Sequence, residues 1–343
     1  MSARNWKLFL GAVAMWALYL GITRPWQGDA HARTAAQIGA LYPQLPEQID
    51  GIARIVISDG DQRATLQLIG EEDRRIGRGW MVEEKNYPLD YTRLTKMLDN
   101  LTSIQTSDVV SVNPEKHGIY GVAEGQGRRV QVFSDDNRIL VDWIAGSMRQ
   151  QDIQGGQTPV LEFYMRDARS DRVYLSGDAL LPAVDPIDWC EVNLLKDIGI
   201  DRVSWIERKD FQTGESWRLE RRNESSVDQE GTATSWFMTE PQEMPAMAYA
   251  GDSMATTIVG IEIADILGTA NTDGTDEARY GFPQDRFTVG MEGSQFRFIF
   301  ELGKPAQEGQ RFMRVKDLPY IFTLSDFAVS QLRQPVERML QDN

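Results

Sequence analysis

The chain has 343 residues, 41% of them hydrophobic and 25% charged, which is the composition of a folded protein long enough for two domains. Its 36 basic and 51 acidic residues leave a net charge of −15. Because phosphate recognition needs a clustered positive field, this charge argues against a nucleic-acid partner. The single cysteine, Cys190, excludes an intrachain disulfide, and its apolar surroundings predict a small buried side chain.

The N-terminus predicts a membrane anchor over residues 1–27. Residues 8–23 are uncharged and mostly apolar, and Trp6 and Trp26 flank them as interfacial aromatics do. Arg4 and Lys7 precede the apolar run, so the positive-inside rule places the N-terminus in the cytoplasm. We therefore expect a single-pass protein of the inner membrane that contacts the lipid bilayer through residues 8–23, with its body in the periplasm.

Two other interpretations of the N-terminus stay open. One is a cleaved signal peptide ending near residues 30–32, and the other is a buried soluble helix. After Arg24 the chain keeps 33 basic and 51 acidic residues, a net of −18, so an anionic bilayer would repel the body without a tether. Residues 28–50 are predicted to be a connector whose part 32–41 extends the anchor as a helix.

From residue 51 onward, the sequence contains an internal repeat, with copy one at 51–195 and copy two at 196–343. Copy one opens with the strand-like residues 52–57 and copy two with residues 200–206. Further matching segments follow in the same order: 64–68 with 217–221, 79–84 with 235–240, 120–122 with 280–282, 129–133 with 286–289, 138–142 with 295–300, 163–166 with 311–314, and 172–175 with 318–322.

Each copy also predicts one helix. In the first, Asp90 is a good N-cap for an apolar face formed by Tyr91, Leu94, Leu98, Leu101 and Ile104. In the second, Asp252 or Ser253 would cap a weaker stripe formed by Met254, Ile258, Ile261 and Ile266. The predicted fold class is α+β: an N-terminal transmembrane helix followed by two tandem repeats, each an antiparallel sheet with a packed helix. The tryptophans of the strands are predicted to be core residues.

These features resemble the bacterial family called domain of unknown function 4340, over roughly residues 50 to 340. The resemblance rests on the anchor, on Trp80, and on the segments 120–122, 164–166 and 173–175, with their counterparts in copy two. One departure is that Ile144-Ala-Gly-Ser in copy one stands where copy two has Glu301-Leu-Gly-Lys. The resemblance implies a companion of gliding-motility-type ABC transport systems, with an ABC permease and an auxiliary membrane subunit as partners. It implies no catalytic residues.

No catalytic, cofactor-binding or metal-ligating residue is predicted. His31 and His117 lack ligand spacing and are expected on the surface or in turns. Residues 271–277 resemble part of a calcium loop but lack its first ligand and closing glutamate, so they predict a polar turn. The acidic residues 71–73 and 135–136 predict hairpin turns.

The predicted function is a non-catalytic accessory or scaffold subunit of an ABC-type envelope system. Such a subunit should expose an apolar patch. Two alternatives stay open: an envelope ligand-binding module with a pocket lined by Trp205, Trp217 and Trp236, and a hydrolase that uses converging carboxylates. The sequence specifies neither the transported substance nor the stoichiometry of the partners.

Overall fold

The structure is a computed structural model. It describes residues 39–70, 79–106, 109–149, 162–176, 181–225, 232–247, 249–271, 274–293, 297–307 and 309–340. Within these ranges, no helix is long and apolar enough to cross a membrane. The predicted anchor at residues 8–23 lies outside the described residues.

The first copy forms a nine-stranded antiparallel sheet. Its strands and a preceding short pair are β1 (Gly39–Ala40), β2 (Ile52–Asp59), β3 (Gln62–Leu68), β4 (Trp80–Val82), β5 (Tyr87–Pro88), β6 (Gln105–Thr106), β7 (Val109–Ser111), β8 (Arg128–Ser134), β9 (Ile139–Met148), β10 (Phe163–Asp167) and β11 (Val173–Ser176). The order across the sheet is β5-β4-β3-β2-β8-β9-β10-β11-β7, and β1 pairs separately with β6. The predicted helical extension over residues 32–41 is therefore wrong at Gly39–Ala40, which is a strand.

The second copy repeats this sheet. Its strands are β12 (Val203–Asp210), β13 (Ser216–Ser225), β14 (Thr232–Glu240), β15 (Met244–Pro245), β16 (Asp265–Thr269), β17 (Asp285–Met291), β18 (Arg297–Pro305), β19 (Gln310–Val315) and β20 (Tyr320–Ser325). Their order, β15-β14-β13-β12-β17-β18-β19-β20-β16, matches the first sheet place by place. The predicted internal repeat of antiparallel α+β units is confirmed. One detail is wrong: residues 200–202 form a 3-10 turn, and the strand begins only at Val203.

The helix of the first copy follows the prediction. It is α1 (Tyr91–Ser103), and the Asp90 carboxylate accepts a hydrogen bond from the backbone N–H of Thr92 at 2.9 Å. The buried side chains on its inner face include Leu94 and Leu101. Tyr91, predicted on the same face, is instead exposed, because it lies in the first turn.

The helices of the second copy differ from the prediction. They are α2 (Ala250–Val259), α3 (Thr275–Tyr280) and α4 (Asp326–Leu332). Helix α2 begins before the predicted caps, and no side chain caps it. The Asp252 carboxylate is instead occupied by the indole N–H of Trp236 at 2.9 Å and by the Arg221 guanidinium at 2.8 Å. Ile266 belongs to strand β16 rather than to the helix.

Contacts between Cα atoms divide the chain into two compact units. One unit takes its described residues from Met1–Arg63 and Thr95–Val184, and the other from Ala64–Leu94 and Asp185–Asn343. Inside the second unit, the Tyr87 ring meets the Tyr320 ring edge-on, with centroids 4.9 Å apart. The Lys85 ammonium also pairs with the Asp265 carboxylate at 2.5 Å. These contacts attach the segment Ala64–Leu94 to the later part of the chain.

The Tyr-Gly step of both copies makes the same close backbone crossing. Gly121 and Gly281 have φ values of 68° and 71°, which favour glycine. A Cβ added to Gly146 would lie 2.2 Å from the carbonyl oxygen of Tyr120. Gly303 repeats this crossing in copy two, where an added Cβ would lie 2.3 Å from the carbonyl oxygen of Tyr280. The crossing leaves no room for a side chain in either copy.

We predict that Gly303→Ala destabilises the protein by about 1–3 kcal/mol, because the new methyl group overpacks against a backbone carbonyl. The measurement is the free energy of unfolding of the full chain in urea. Gly51→Ala is the matched control, since an added Cβ there meets nothing within 4 Å, and its effect should stay within about 0.5 kcal/mol. Equal stability of Gly303→Ala and the control would contradict the crossing.

Candidate functional site

The most distinctive site in the described part of the chain is a charged recess on the outer face of the second sheet. Its volume is about 400 Å³, and it is lined by Arg286, Ile299, Glu301, Arg314 and Lys316. We call it the arginine recess. The alternation of strands β17, β18 and β19 produces it, because neighbouring residues such as Phe287, Phe300 and Met313 point into the core and leave these side chains outside.

Strand register brings the charged residues into one row. Glu301 on β18 lies opposite Arg286 on β17 and opposite Arg314 on β19. One carboxylate oxygen of Glu301 accepts from Nε of Arg286 at 2.7 Å, and the other accepts from Nε of Arg314 at 2.7 Å. Nη1 of Arg314 also donates to the Glu277 carboxylate at 2.6 Å. Glu301 is buried and thus ties the two guanidinium groups together.

Aromatic rings support both guanidinium groups. The Arg286 guanidinium lies 5.2 Å from the centroid of Phe211, and that of Arg314 lies 4.9 Å from the centroid of Phe282. Burial lowers the pKa of Arg314, but its hydrogen bonds to Glu277 and Glu301 outweigh burial and leave the pKa raised. Both arginines are therefore fixed, permanently charged groups.

Lys316 lines the recess beside the row formed by Arg286, Glu301 and Arg314. Its backbone N–H donates to the carbonyl oxygen of Ile299 at 2.9 Å, which places Lys316, in the turn after β19, beside Ile299 on β18. Its side chain is exposed and makes no ion pair with the described residues. Three cationic side chains therefore face two carboxylates, those of Glu301 and Glu277. The recess is locally positive in a chain of net charge −15.

The first copy has different side chains at the positions equivalent to the recess. Ile144 takes the place of Glu301, because it pairs with Arg129 on β8 and Arg166 on β10 as Glu301 pairs with its two arginines. Ala168 takes the place of Lys316, since its N–H donates to the carbonyl oxygen of Asp142 at 2.7 Å. Glu301 and Lys316 thus correspond to uncharged residues in copy one, whereas Ile299 corresponds to the charged Asp142.

Copy one fills the corresponding space with apolar side chains. Ile144 is buried in a cluster with Val122 and Val173, against which Tyr120 and Tyr164 pack. The two arginines there also have other partners. These partners are the Asp142 carboxylate for Arg129, at 2.7 Å, and the backbone carbonyl oxygens of Val122 and Ala168 for Arg166, at 2.8 and 2.9 Å.

The exchange of Ile144 for Glu301 is visible in the sequence, but by itself it indicates no site. The missing information was the register that brings Arg286 and Arg314 beside Glu301, since the three residues lie on separate strands. The sequence did contain one indication of the site. Glu301 and Lys316 are charged where copy one has Ile144 and Ala168, and both alternate with residues that face the core.

The structure also places the other residues considered from the sequence. No group of three or more His, Cys, Asp or Glu that could hold a metal occurs in the described residues. His117 lies at the end of a 3-10 turn, as predicted, but it is buried rather than on the surface, with Nε2 3.1 Å from the carbonyl oxygen of Asp171. The predicted hairpin turn at Asp135 and Asp136 is confirmed between β8 and β9. His31 and residues 71–73 lie outside the described part.

Within residues 271–277, predicted as a polar turn, residues 275–277 are instead the start of α3, and residues 272–273 lie outside the described part. The carboxylate of Asp276 is buried and accepts from the backbone N–H of Asn271 at 2.5 Å and from its side-chain Nδ2 at 3.2 Å. This carboxylate therefore stabilises the local structure.

The tryptophans proposed as a ligand pocket do not form one. Trp217 and Trp236 are buried in the core, which confirms the predicted packing role. Trp205 is half-buried on the outer face, where its indole covers Gly290 and the Arg218 guanidinium lies 4.1 Å from its centroid.

The second unit also contains a buried cluster of charged side chains. The Asp285 carboxylate has no solvent exposure and accepts from Nη2 of Arg208 at 2.7 Å and from Nε of Arg333 at 2.8 Å. Arg208 also pairs with Asp210 at 3.0 Å. The cluster joins β12 and β17 to the end of α4, which is a structural task. In copy one Arg128 stands at the place of Asp285, and it forms a half-exposed pair with Asp59 at 3.3 Å.

We predict that Asp285→Asn lowers the free energy of unfolding by about 3–5 kcal/mol, because two guanidinium groups lose their shared buried charge. Asp59→Asn, the same chemical change at a half-exposed carboxylate of copy one, should cost less than about 1 kcal/mol, since solvent screens its pair with Arg128. Urea unfolding of the full chain measures both values. Similar costs for the two variants would mean that the cluster does not stabilise the second unit.

The thiol of Cys190 is buried, as expected from the sequence, and burial raises its pKa to about 12. At about pH 8 the thiolate fraction is then on the order of a thousandfold below that of an ordinary cysteine. We predict that a maleimide or iodoacetamide reagent labels the native chain at least that much more slowly than the chain in urea. Comparable labelling rates in the two conditions would contradict the buried placement.

The fold and the recess define a tandemly duplicated, antiparallel α+β protein whose copies differ in surface chemistry. Residues 80–234 match the model of a family described as a domain of unknown function, DUF4340, which confirms the predicted resemblance over this part of the chain. The match begins at Trp80 on β4 and ends two residues before Trp236 on β14, the equivalent strand of copy two. It therefore spans one period of the repeat. No curated protein and no solved structure matches the chain.

Proposed function

We propose that the protein is a membrane-anchored accessory subunit of an ABC-type envelope transport system, with the arginine recess as its recognition site. In this proposal residues 8–23 cross the inner membrane, the body lies in the periplasm, and an ABC permease with an auxiliary subunit is the partner. The observation that carries the proposal is the divergence of two copies of one fold, since the second has Glu301 and Lys316 where the first has Ile144 and Ala168.

The chemistry of the recess favours recognition over catalysis. Guanidinium groups do not release protons at physiological pH, so Arg286 and Arg314 are poor acid–base catalysts. Both carboxylate oxygens of Glu301 already accept hydrogen bonds from the arginines, so neither is free to accept a proton from a substrate. Fixed donors on a rigid sheet are, by contrast, well suited to binding a complementary anionic group.

Exposed apolar side chains give further support to a protein partner. Tyr249 precedes α2 and Phe327 begins α4, two helices that pack together, and both side chains are mostly exposed. In copy one, Val112 and Ile119 are similarly exposed. Exposed aromatic and aliphatic groups of this size are typical of surfaces that become covered by a partner.

The test is affinity purification of the full chain in mild detergent, with quantification of the ABC permease that co-purifies. Arg286→Ala combined with Arg314→Ala should reduce permease recovery at least about tenfold, which corresponds to about 1.4 kcal/mol of binding free energy. The matched control combines Arg138→Ala with Arg149→Ala, which removes the same charge from exposed positions in copy one. Circular dichroism confirms that each variant is folded.

Two outcomes would contradict the proposal in different ways. Absence of the permease from the wild-type purification would overturn the accessory role. Equal recovery with the recess variant, the control and the wild type would retain the accessory role but exclude the recess as the recognition site.

A further inference from the structure

We propose that the arginine recess binds the oxyanion group, phosphate or carboxylate, of a small molecule. This is a second use of the recess, separate from the permease contact proposed above, and a small molecule bound there would compete with that contact. The first observation is the local charge: Arg286, Arg314 and Lys316 outnumber the two carboxylates that pair with them. An anion that approaches this acidic chain therefore meets a positive recess backed by a low-dielectric sheet, which strengthens the attraction.

The second observation is preorganisation. Glu301 holds both guanidinium groups by Nε, and Phe211 and Phe282 support them from the side. Nη1 of Arg286 and Nη2 of Arg314 keep N–H groups that no described residue accepts. A ligand oxygen that accepts these donors would not need to order the side chains first, so little conformational entropy is lost on binding.

The third observation is the size and floor of the recess. Its volume of about 400 Å³ falls within the range of small-molecule sites and exceeds what a single inorganic anion fills. Ile299 provides an apolar lining residue beside the charged row. We therefore infer a ligand that carries an oxyanion at one end, next to Lys316 and the arginines, and an apolar part over Ile299.

The fourth observation is the comparison within the chain. Copy one has the same strand order and the same Tyr-Gly crossing, but its space is closed by Ile144 and its neighbours, and Ala168 replaces Lys316. The fold consequently does not require a charged recess at this position. Lys316 is the most informative residue, because it is exposed and makes no ion pair with a described residue, so its replacement leaves the Glu301 pairs intact.

The experiment is isothermal titration calorimetry of the full chain in mild detergent at low ionic strength, with inorganic phosphate in one arm and malonate in the other. We expect saturable binding of at least one probe, weakened about tenfold or more by Lys316→Ala. Lys304→Ala is the matched control: it removes the same charge from an exposed position near the end of β18, outside the recess lining, and should change affinity less than about twofold.

The outcomes separate the chemistries. Tighter binding of phosphate identifies a phosphorylated ligand, and tighter binding of malonate identifies a carboxylate. Failure of both probes to bind would overturn the proposal, as would equal weakening by Lys304→Ala, which indicates general charge attraction. Binding of an acidic peptide without binding of either small probe would also overturn it and would assign the recess to a macromolecule. None of these results depends on whether a permease co-purifies.

Discussion

The constraint on which the structure depends is that each sheet must bury one face completely. Along β17 and β18 every second residue is apolar, and Phe287 stacks on Phe300 with centroids 4.9 Å apart and rings 7° from parallel. This requirement fixes the register of the central strands, because a slip by one residue would place charged side chains in the core. Residues on the outer face are not under the same requirement, and there the two copies are free to differ.

The two copies use that freedom in opposite ways. Copy one extends its core outward, with Ile144 under Tyr120 and Tyr164. Copy two keeps the equivalent ring pair, Tyr280 with Phe312 at 4.8 Å, but replaces the isoleucine by Glu301. The arginines are present in both copies, and the exchange of Ile144 for Glu301 links them into one charged row on the same sheet. Duplication of a scaffold followed by divergence of one face is consistent with one copy for support and one for recognition.

The fold was largely predictable, and the site was not. Strand periodicity and the Asp90 cap depend on neighbours in sequence, so most strands and α1 were predicted. The start of α2 was predicted wrongly because Asp252 bonds to Trp236, a residue on a distant strand. The recess depends on pairing of the same kind: Glu301 is 15 residues from Arg286 and 13 from Arg314, and only the sheet register makes them neighbours. Composition and spacing carry no record of such pairings.

The composition of the compact units has a consequence for how the chain can be divided. The segment Ala64–Leu94 comes from the first copy in sequence but contacts residues of the second unit, as Tyr87 does with Tyr320 and Phe322. A cut between the sequence copies would therefore remove a piece of the second unit's interior and expose two aromatic side chains. Neither half should be obtainable as a soluble fragment by simple truncation. In this chain the repeated sequence segment and the compact folding unit are therefore different stretches of polypeptide.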